Sequence, residues 1–176
     1  GKDGDAKNIL VRVDFNVPME GDKITDESRI RGAIPTIKII LNSGNNAILM
    51  SHMGRPKAVQ KGEDDGTQRA ALSLKHVVPT LKELSGADVS FVEDCIGDDV
   101  KAAVAALPKT GGSILVLENL RFRKVCRARI LCLVFYVELV SISVLVCGNE
   151  SFLMKLFPFF FSIVCVGRRE KRGILC

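Results

Sequence analysis

Residues 8–15 read NILVRVDF, and this short apolar stretch decides the class of fold. It is rich in β-branched residues and too short for a typical helix, so it predicts a buried β-strand. Apolar residues then recur at helical spacing until Gly44, at Ile30, Ala33, Ile34, Ile37 and Leu41. Thr25 and Asp26 offer N-caps for this predicted helix, and Pro35 should bend it. The chain therefore begins with a strand followed by a helix.

The same alternation repeats further along the chain. Three more apolar stretches of strand length lie at residues 47–51, 89–92 and 114–117. One helix is predicted to begin after Ser73, which can cap it, and another to cover residues 98–107. The polar residues 57–71 show no periodicity and predict an exposed loop. Strands that alternate with helices over short connections predict an α/β fold, a parallel sheet flanked by helices with right-handed crossovers.

Charge and cysteine content exclude several classes of protein. The net charge of +5 lies entirely in residues 124–176, because residues 1–123 carry equal numbers of acidic and basic side chains. The main part of the chain therefore offers no basic surface for nucleic acid. Cys95 is the single cysteine in that part, and no C-x-x-C pair occurs in the rest. This pattern predicts a reduced, cytoplasmic protein without a zinc site, in which Cys95 is a small core residue. The charged opening GKDGDAK predicts no secretory leader.

Residues 124–176 differ in composition from the rest of the chain, and we name them the tail. Its runs 130–146 and 152–166 are almost entirely apolar. Each is near the lower length limit of a membrane-spanning helix, but Glu138 and Lys155 place charges within them, which is costly at mid-membrane depth. Three origins stay open: read-through or mis-spliced sequence, a membrane anchor, or an unfamiliar core segment. Because the runs show neither alternation nor a polar helical face, we expect the tail not to complete the domain that the rest of the chain begins.

Polar side chains follow the predicted strands where each strand ends. They are Asp14 and Asn16 after the first strand, His52 and Arg55 after the second, and Arg121 after the last. Arg29 lies at the start of the first helix, where the helix dipole favours an anion. Ligands of open α/β sheets bind at this edge, and arginine binds carboxylates and phosphates through two parallel hydrogen bonds. We therefore expect a cationic pocket for a small phosphorylated hydroxy-acid, with the acidic and amide groups contacting its hydroxyls.

Four stretches at these positions resemble signature sequences of the phosphoglycerate kinases: RVDFNVP at 12–18, SRI at 28–30, MSHMGRP at 50–56 and LENLRF at 117–122. The resemblance covers residues 8–122 and implies the Rossmann-like half of that family's N-terminal substrate domain. It implies a set of residues that bind 3-phosphoglycerate: Val13, Asp14, Phe15, Asn16, Ser28, Arg29, Ser51, His52, Gly54, Arg55, Leu120 and Arg121. The counterpart of Arg29 stabilises the transferred phosphoryl group in the family, which makes Arg29 the candidate catalytic residue.

The resemblance also implies a reaction of glycolysis, phosphoryl transfer between ATP and 3-phosphoglycerate, with Mg-ATP or Mg-ADP as cofactor. Neither G-x-x-x-x-G-K-S/T nor G-x-G-x-x-G occurs in the sequence, so we expect no cofactor-binding or metal-binding residues in this chain. On this interpretation residues 1–123 are an incomplete substrate domain, residues 124–176 are the tail, and the chain is inactive alone. The alternatives are a fragment that binds phospho-hydroxyacids without catalysis, and a membrane-tethered interaction protein. The family implies a monomer in the cytoplasm, with an organellar form as the alternative.

Overall fold

The computed structural model describes residues 5–123 and the backbone of two strands at residues 142–147 and 164–166. The strands are β1 (Asn8–Arg12), β2 (Met19–Glu20), β3 (Lys23–Ile24), β4 (Asn46–Met50), β5 (Asp88–Val92), β6 (Ser113–Leu117), β7 (Ile142–Cys147) and β8 (Val164–Val166). The helices are α1 (Ser28–Asn42), α2 (Lys57–Lys61), α3 (Thr67–Ala71), α4 (Val78–Ser85) and α5 (Asp98–Ala105), with 3-10 turns at Leu74–Val77 and Leu120–Phe122.

A six-stranded sheet in the order β5-β6-β4-β1-β7-β8 organises the fold. Every neighbouring pair in it is parallel, whereas β2 and β3 form a separate antiparallel ribbon. The predicted α/β fold with a parallel sheet flanked by helices is confirmed. In register, Arg12 at the end of β1 pairs with Met50 at the end of β4. The carboxyl ends of the parallel strands therefore lie at one edge of the sheet, which we name the carboxyl edge.

An apolar layer covers each face of the sheet, because successive side chains of a strand point to opposite faces. One layer joins strand residues to side chains from α1 and α4: Val11, Leu49, Val116, Ile30, Ile37 and Leu81. The other joins the alternate strand residues to side chains around α5: Leu10, Ile48, Leu115, Cys95 and Val104. Cys95 is 2% exposed, which confirms the prediction that it is a core residue. Each fully buried Ile or Leu contributes about 1.5–3 kcal/mol, so these two layers hold the helices against the sheet.

The start of α1 differs in detail from the prediction. Its N-cap is Glu27, whose side chain makes no capping hydrogen bond, so the prediction of a Thr25 or Asp26 cap was wrong by at least one residue. Asp26 still takes part, because its Oδ1 accepts a hydrogen bond from the Ser28 N–H at 2.9 Å. Hydrogen bonds from Ser28 lower the pKa of Asp26. The reason is that an aspartate can satisfy the N–H two residues ahead of it without occupying the cap position.

The segment predicted as an exposed loop, residues 57–71, contains the two short helices α2 and α3. Each has only five residues, which is too short for an apolar period to appear in the sequence. Gly62 ends α2 in the left-handed conformation, with φ at 81°. Asp64 then holds the start of α3, since its carboxylate accepts hydrogen bonds from the N–H groups of Gln68 and Arg69 at 2.9 and 3.1 Å. Local hydrogen bonds rather than an apolar face explain these helices.

Two described segments of the tail continue the sheet, whereas the expectation that the tail does not complete the domain in the family's manner stays a prediction. Ile142–Cys147 pairs in parallel with β1, and Val164–Val166 pairs in parallel with β7. A strand inside a parallel sheet is covered on both faces and reads as an unbroken apolar run, so missing alternation was not a sound argument against pairing. None of the helices in the described ranges is long and apolar enough to cross a membrane. Most of the two apolar runs on which the membrane alternative depends lies outside those ranges.

Candidate functional site

Asp14 and Arg29 meet at the carboxyl edge, where the chain leaves β1. The Arg29 Nη1 donates a hydrogen bond to the Asp14 Oδ2 at 2.5 Å. The two side chains remain 47% and 57% exposed, respectively. An ion pair with this exposure contributes about 0–1 kcal/mol to stability, so a ligand can replace it with its own contacts at little cost in free energy. Arg29 occupies the first turn of α1, where backbone N–H groups also favour an anion.

Asn16 links the exit of β1 to the exit of β4. Its Oδ1 accepts a hydrogen bond from the Gly54 N–H at 2.8 Å, and its own N–H donates to the Asp14 Oδ1 at 3.1 Å. Gly54 has a φ of 58°, and a Cβ at this position would lie 2.6 Å from the Leu72 Cδ2. The backbone conformation favours glycine here, and a Cβ would also force the Leu72 side chain to move. The two strand exits are therefore held at a fixed separation.

Ser51 is a buried connector under this edge, 1% exposed. Its Oγ accepts a hydrogen bond from the Phe15 N–H at 2.9 Å, and its carbonyl accepts one from the Leu120 N–H at 3.1 Å. Val13 and Phe15 are 4% and 0% exposed, so these two residues support the site by packing beneath it. Ser51 thus joins the chain segments that follow β1, β4 and β6.

His52 is half-buried, and its pKa is lowered. Burial disfavours the charged imidazolium most, and the positive charge of Arg121 lowers the pKa further, while Asp14 acts in the opposite direction. Since the ordinary value is near 6.5, the imidazole is neutral at pH 7. His52 therefore offers a hydrogen bond rather than a positive charge, and the cationic character of the edge rests on the arginines.

Arg121 lies in the 3-10 turn Leu120–Phe122 after β6. Its Nη1 donates a hydrogen bond to the Gly54 carbonyl. Its carbonyl accepts a hydrogen bond from the Gln60 Nε2 at 3.0 Å, and the guanidinium of Arg69 lies 4.9 Å from the ring centre of Phe122. Helices α2 and α3 therefore cover the turn that carries Arg121.

The remaining predicted residues are placed less centrally. Arg55 is exposed, and within residues 5–123 its guanidinium makes no hydrogen bond or ion pair with another side chain. The Ser28 Oγ donates to the Asp26 carboxylate. The contacts of the site thus join Asp14, Asn16, Arg29, His52, Gly54 and Arg121 directly or by electrostatic coupling, but they do not join Arg55.

Sequence reasoning missed three residues that shape this edge. Arg12 ends β1, and its positive charge contributes to the lowered pKa of His52. Glu118 and Asn119 are 6% and 0% exposed. The available signal was a polar pair directly after the apolar run ILVL, where a chain entering solvent would not bury both side chains.

Within residues 5–123, 142–147 and 164–166, no group of three or more His, Cys, Asp or Glu side chains is placed to hold a metal ion. The arginines and backbone N–H groups of the carboxyl edge suit a small anion instead. The chemistry available here is therefore recognition of carboxylate and phosphate groups.

Comparisons with known proteins match this chain to one family. Residues 2–128 match the family model described as phosphoglycerate kinase. A phosphoglycerate kinase of Wolbachia pipientis is 48% identical over 118 residues, which are 67% of this chain and 27% of that protein. One from Moorella thermoacetica is 50% identical over 116 residues, 66% of this chain and 27% of that protein. The chain thus spans 27% of the length of these curated relatives.

Solved structures give the same result. The crystal structure of phosphoglycerate kinase from Pyrococcus horikoshii superposes with a TM-score of 0.65 and 25% sequence identity. The match covers 82% of this chain and 34% of that chain. Because the family model spans more than half of the sequence, the chain belongs to the phosphoglycerate kinase family.

Proposed function

We propose that residues 8–122 form the 3-phosphoglycerate-binding part of a phosphoglycerate kinase. The observation that carries the proposal is the linked set of contacts at the carboxyl edge. Arg29 contacts Asp14, Asn16 contacts Gly54, and Gly54 contacts Arg121. Three separate strand exits thereby hold two guanidinium groups beside one acidic and one amide side chain.

Each group suits one part of the ligand. Arg29 and Arg121 bind its phosphate and carboxylate, since a guanidinium donates two parallel hydrogen bonds and keeps its charge at neutral pH. Asp14 and Asn16 accept hydrogen bonds from its hydroxyl group. His52, neutral at pH 7, donates a hydrogen bond. Ligand binding exchanges the exposed Asp14–Arg29 pair for contacts with a more highly charged partner.

Arg29 is the proposed catalytic residue, because it lies where a charge developing on the transferred phosphoryl group would be stabilised by the first turn of α1. The full reaction, transfer between ATP and 3-phosphoglycerate in glycolysis, is proposed for the protein in which this part acts beside a nucleotide-binding part. The proposal for the described residues covers the 3-phosphoglycerate side only. We also propose that the protein acts in the cytoplasm as a monomer.

We propose residue 123 as the boundary between the substrate-binding part and the tail. The change of composition after Arg123 supports this boundary. The pairing of β7 with β1 supports a role for the tail in covering one side of β1.

Calorimetric titration of the 176-residue chain with 3-phosphoglycerate tests the proposal. We expect saturable binding that is tighter than binding of inorganic phosphate, because the ligand's carboxylate adds a second anionic contact. Equal affinity for both anions, or no binding of 3-phosphoglycerate, would remove the support for this function.

A further inference from the structure

Asn119 is fully buried and makes three hydrogen bonds through its side-chain amide. Its Nδ2 donates to the Met53 carbonyl at 2.7 Å and to the Leu72 carbonyl at 2.9 Å. Its Oδ1 accepts a hydrogen bond from the Arg121 N–H at 3.0 Å. One amide group therefore joins the exit of β4, the end of α3 and the 3-10 turn after β6.

This amide fixes both ends of the contact between Arg121 and Gly54. The Met53 carbonyl that it holds immediately precedes Gly54, whose own carbonyl accepts the hydrogen bond from the Arg121 guanidinium. The Arg121 N–H that it holds belongs to the same residue as that guanidinium. Met53, Gly54, Arg121 and Asn119 thus form a closed ring of contacts.

The ring reaches the ligand site through Asn16, because the Gly54 N–H donates to the Asn16 Oδ1 at 2.8 Å. The orientation of the Asn119 amide is unique, since a flipped amide would face two carbonyl oxygens with its own oxygen. Loss of the amide would leave the buried Met53 carbonyl and the partly buried Leu72 carbonyl without this partner, which favours a shift that recovers hydrogen bonds. The segment carrying Gly54 and the turn carrying Arg121 would then shift relative to each other.

We propose that Asn119 is a positioning residue for the anion site: it holds Arg121 and the Gly54 backbone at the separation that ligand binding requires. The inference rests on the proposed binding of 3-phosphoglycerate. Asn119 does not touch the ligand and acts through Arg121 and Gly54.

Asn46 provides a matched control at the opposite edge of the sheet. It is 1% exposed, and its Nδ2 also donates two hydrogen bonds, to the Asn8 Oδ1 at 3.0 Å and the Pro108 carbonyl at 2.9 Å. Its Oδ1 likewise accepts one, from the Ser113 N–H at 3.2 Å. The two asparagines therefore differ mainly in which edge they hold together.

The test compares Asn119→Ala with Asn46→Ala in the 176-residue chain. Both variants should lose thermal stability to a similar degree. At a temperature where both are folded, Asn119→Ala should weaken 3-phosphoglycerate binding about tenfold, the factor that corresponds to one unpaired buried polar group. Asn46→Ala should stay within about twofold of the parent chain. Equal affinities in the two variants would show that Asn119 serves stability alone, and would overturn the proposal.

A second readout needs no ligand. Hydrogen exchange at the Gly54 amide, followed by NMR, should accelerate in Asn119→Ala beyond the change in global stability, and should follow global stability in Asn46→Ala. If the parent chain does not bind 3-phosphoglycerate, the proposed function fails, and the Gly54 amide still decides whether Asn119 positions this segment. If exchange at the Gly54 amide in Asn119→Ala changes only as much as global stability does, the positioning role is refuted.

A second variant covers the case in which Asn119→Ala does not fold. Asn119→Asp keeps the shape of the side chain and the acceptor for the Arg121 N–H but loses both donated hydrogen bonds, and the same two measurements apply to it. If both Asn119 variants fail to fold while Asn46→Ala folds, Asn119 is a structural residue and the proposal is wrong.

Discussion

The guanidinium of Arg29 donates a hydrogen bond to the carboxylate of Asp14 at 2.5 Å, across 15 residues of sequence. This contact joins the exit of the central strand β1 to the first turn of α1. Because both side chains are about half exposed, the pair adds little to the stability of the fold. Its position matters more than its strength, since it keeps a guanidinium at the carboxyl edge before any ligand arrives.

Because this pair is exposed, Arg29→Ala should weaken ligand binding while changing the stability of the fold only slightly. The free energy of unfolding, measured by urea denaturation, should fall by less than about 1 kcal/mol. The free energy of 3-phosphoglycerate binding should become less favourable by about 1.5–3 kcal/mol, the range for a hydrogen bond to a charged group. Arg31→Ala is the control, since Arg31 pairs with Glu27 at 2.8 Å and is 63% exposed. Equal losses of binding in the two variants would indicate diffuse electrostatics rather than a site.

Arg55 gives a sharper test of the predicted residue set. Its side chain is exposed and makes no hydrogen bond or ion pair within residues 5–123, so Arg55→Ala should leave the unfolding free energy unchanged. Sequence reasoning places Arg55 in the anion site, which predicts a loss of about 1.5–3 kcal/mol in binding measured by calorimetry. A variant with parental affinity would remove Arg55 from the site.

Gly54 and Gly21 form a matched pair, because both have a φ of 58°. A Cβ at Gly21 would meet nothing within 4 Å, whereas one at Gly54 would lie 2.6 Å from the Leu72 Cδ2. Gly21→Ala should therefore lower the unfolding free energy by about 1–2 kcal/mol, the cost of the left-handed conformation alone. Gly54→Ala should cost clearly more, and adding Leu72→Ala should recover part of the extra loss. Identical costs for the two glycine variants would mean that Leu72 moves aside freely.

His52 predicts a pH dependence of stability. Its pKa in the folded chain lies below the ordinary value near 6.5, so the unfolded chain binds more protons in the interval between the two values. Stability should be highest above about pH 6.5 and should fall as the pH drops towards the folded pKa. His52→Gln should flatten this part of the stability profile, measured by denaturation at a series of pH values. A profile unchanged by the substitution would assign the slope to other groups.

Ligand binding should change the pKa of His52 in the direction opposite to the effect of burial. A bound phosphate or carboxylate favours the imidazolium, so 3-phosphoglycerate should raise the pKa of His52. NMR titration of the His52 ring with and without ligand measures this shift. His76 serves as an internal reference, since its ring contacts the Ala70 carbonyl and Asp22 rather than the residues of the anion site. A lower His52 pKa in the presence of ligand would contradict the proposed binding site.

The sheet was predictable because its strands are buried on both faces, and residues such as Ile48 and Leu115 then produce unbroken apolar runs. The same physics explains why the two strands of the tail were not predicted, since an apolar run does not show which strand it pairs with. Helices α2 and α3 could not be predicted, because hydrogen bonds to Asp64 rather than an apolar face hold α3. Short local structure of this kind leaves little pattern in a single sequence.

The candidate site was predictable in part for a topological reason. Parallel strands end at one edge, so polar residues after the strands, such as Asp14 and Arg121, had to come near each other. The neutrality of His52 was not predictable, since it depends on burial and on neighbouring arginines. The buried amide of Asn119 was missed because two of its three hydrogen bonds reach residues 47 and 66 positions away in the sequence.

An NMR titration of the ¹⁵N-labelled 176-residue chain with 3-phosphoglycerate locates the binding site directly. We expect saturable shifts of the amides of Asp14, Asn16, Gly54 and Arg121 at the carboxyl edge. Amides at the opposite edge, such as Asn46 and Gly112, should stay within the noise. Shifts spread evenly over both edges, or no shift at the carboxyl edge at saturating ligand, would contradict the assignment of this edge as the 3-phosphoglycerate site.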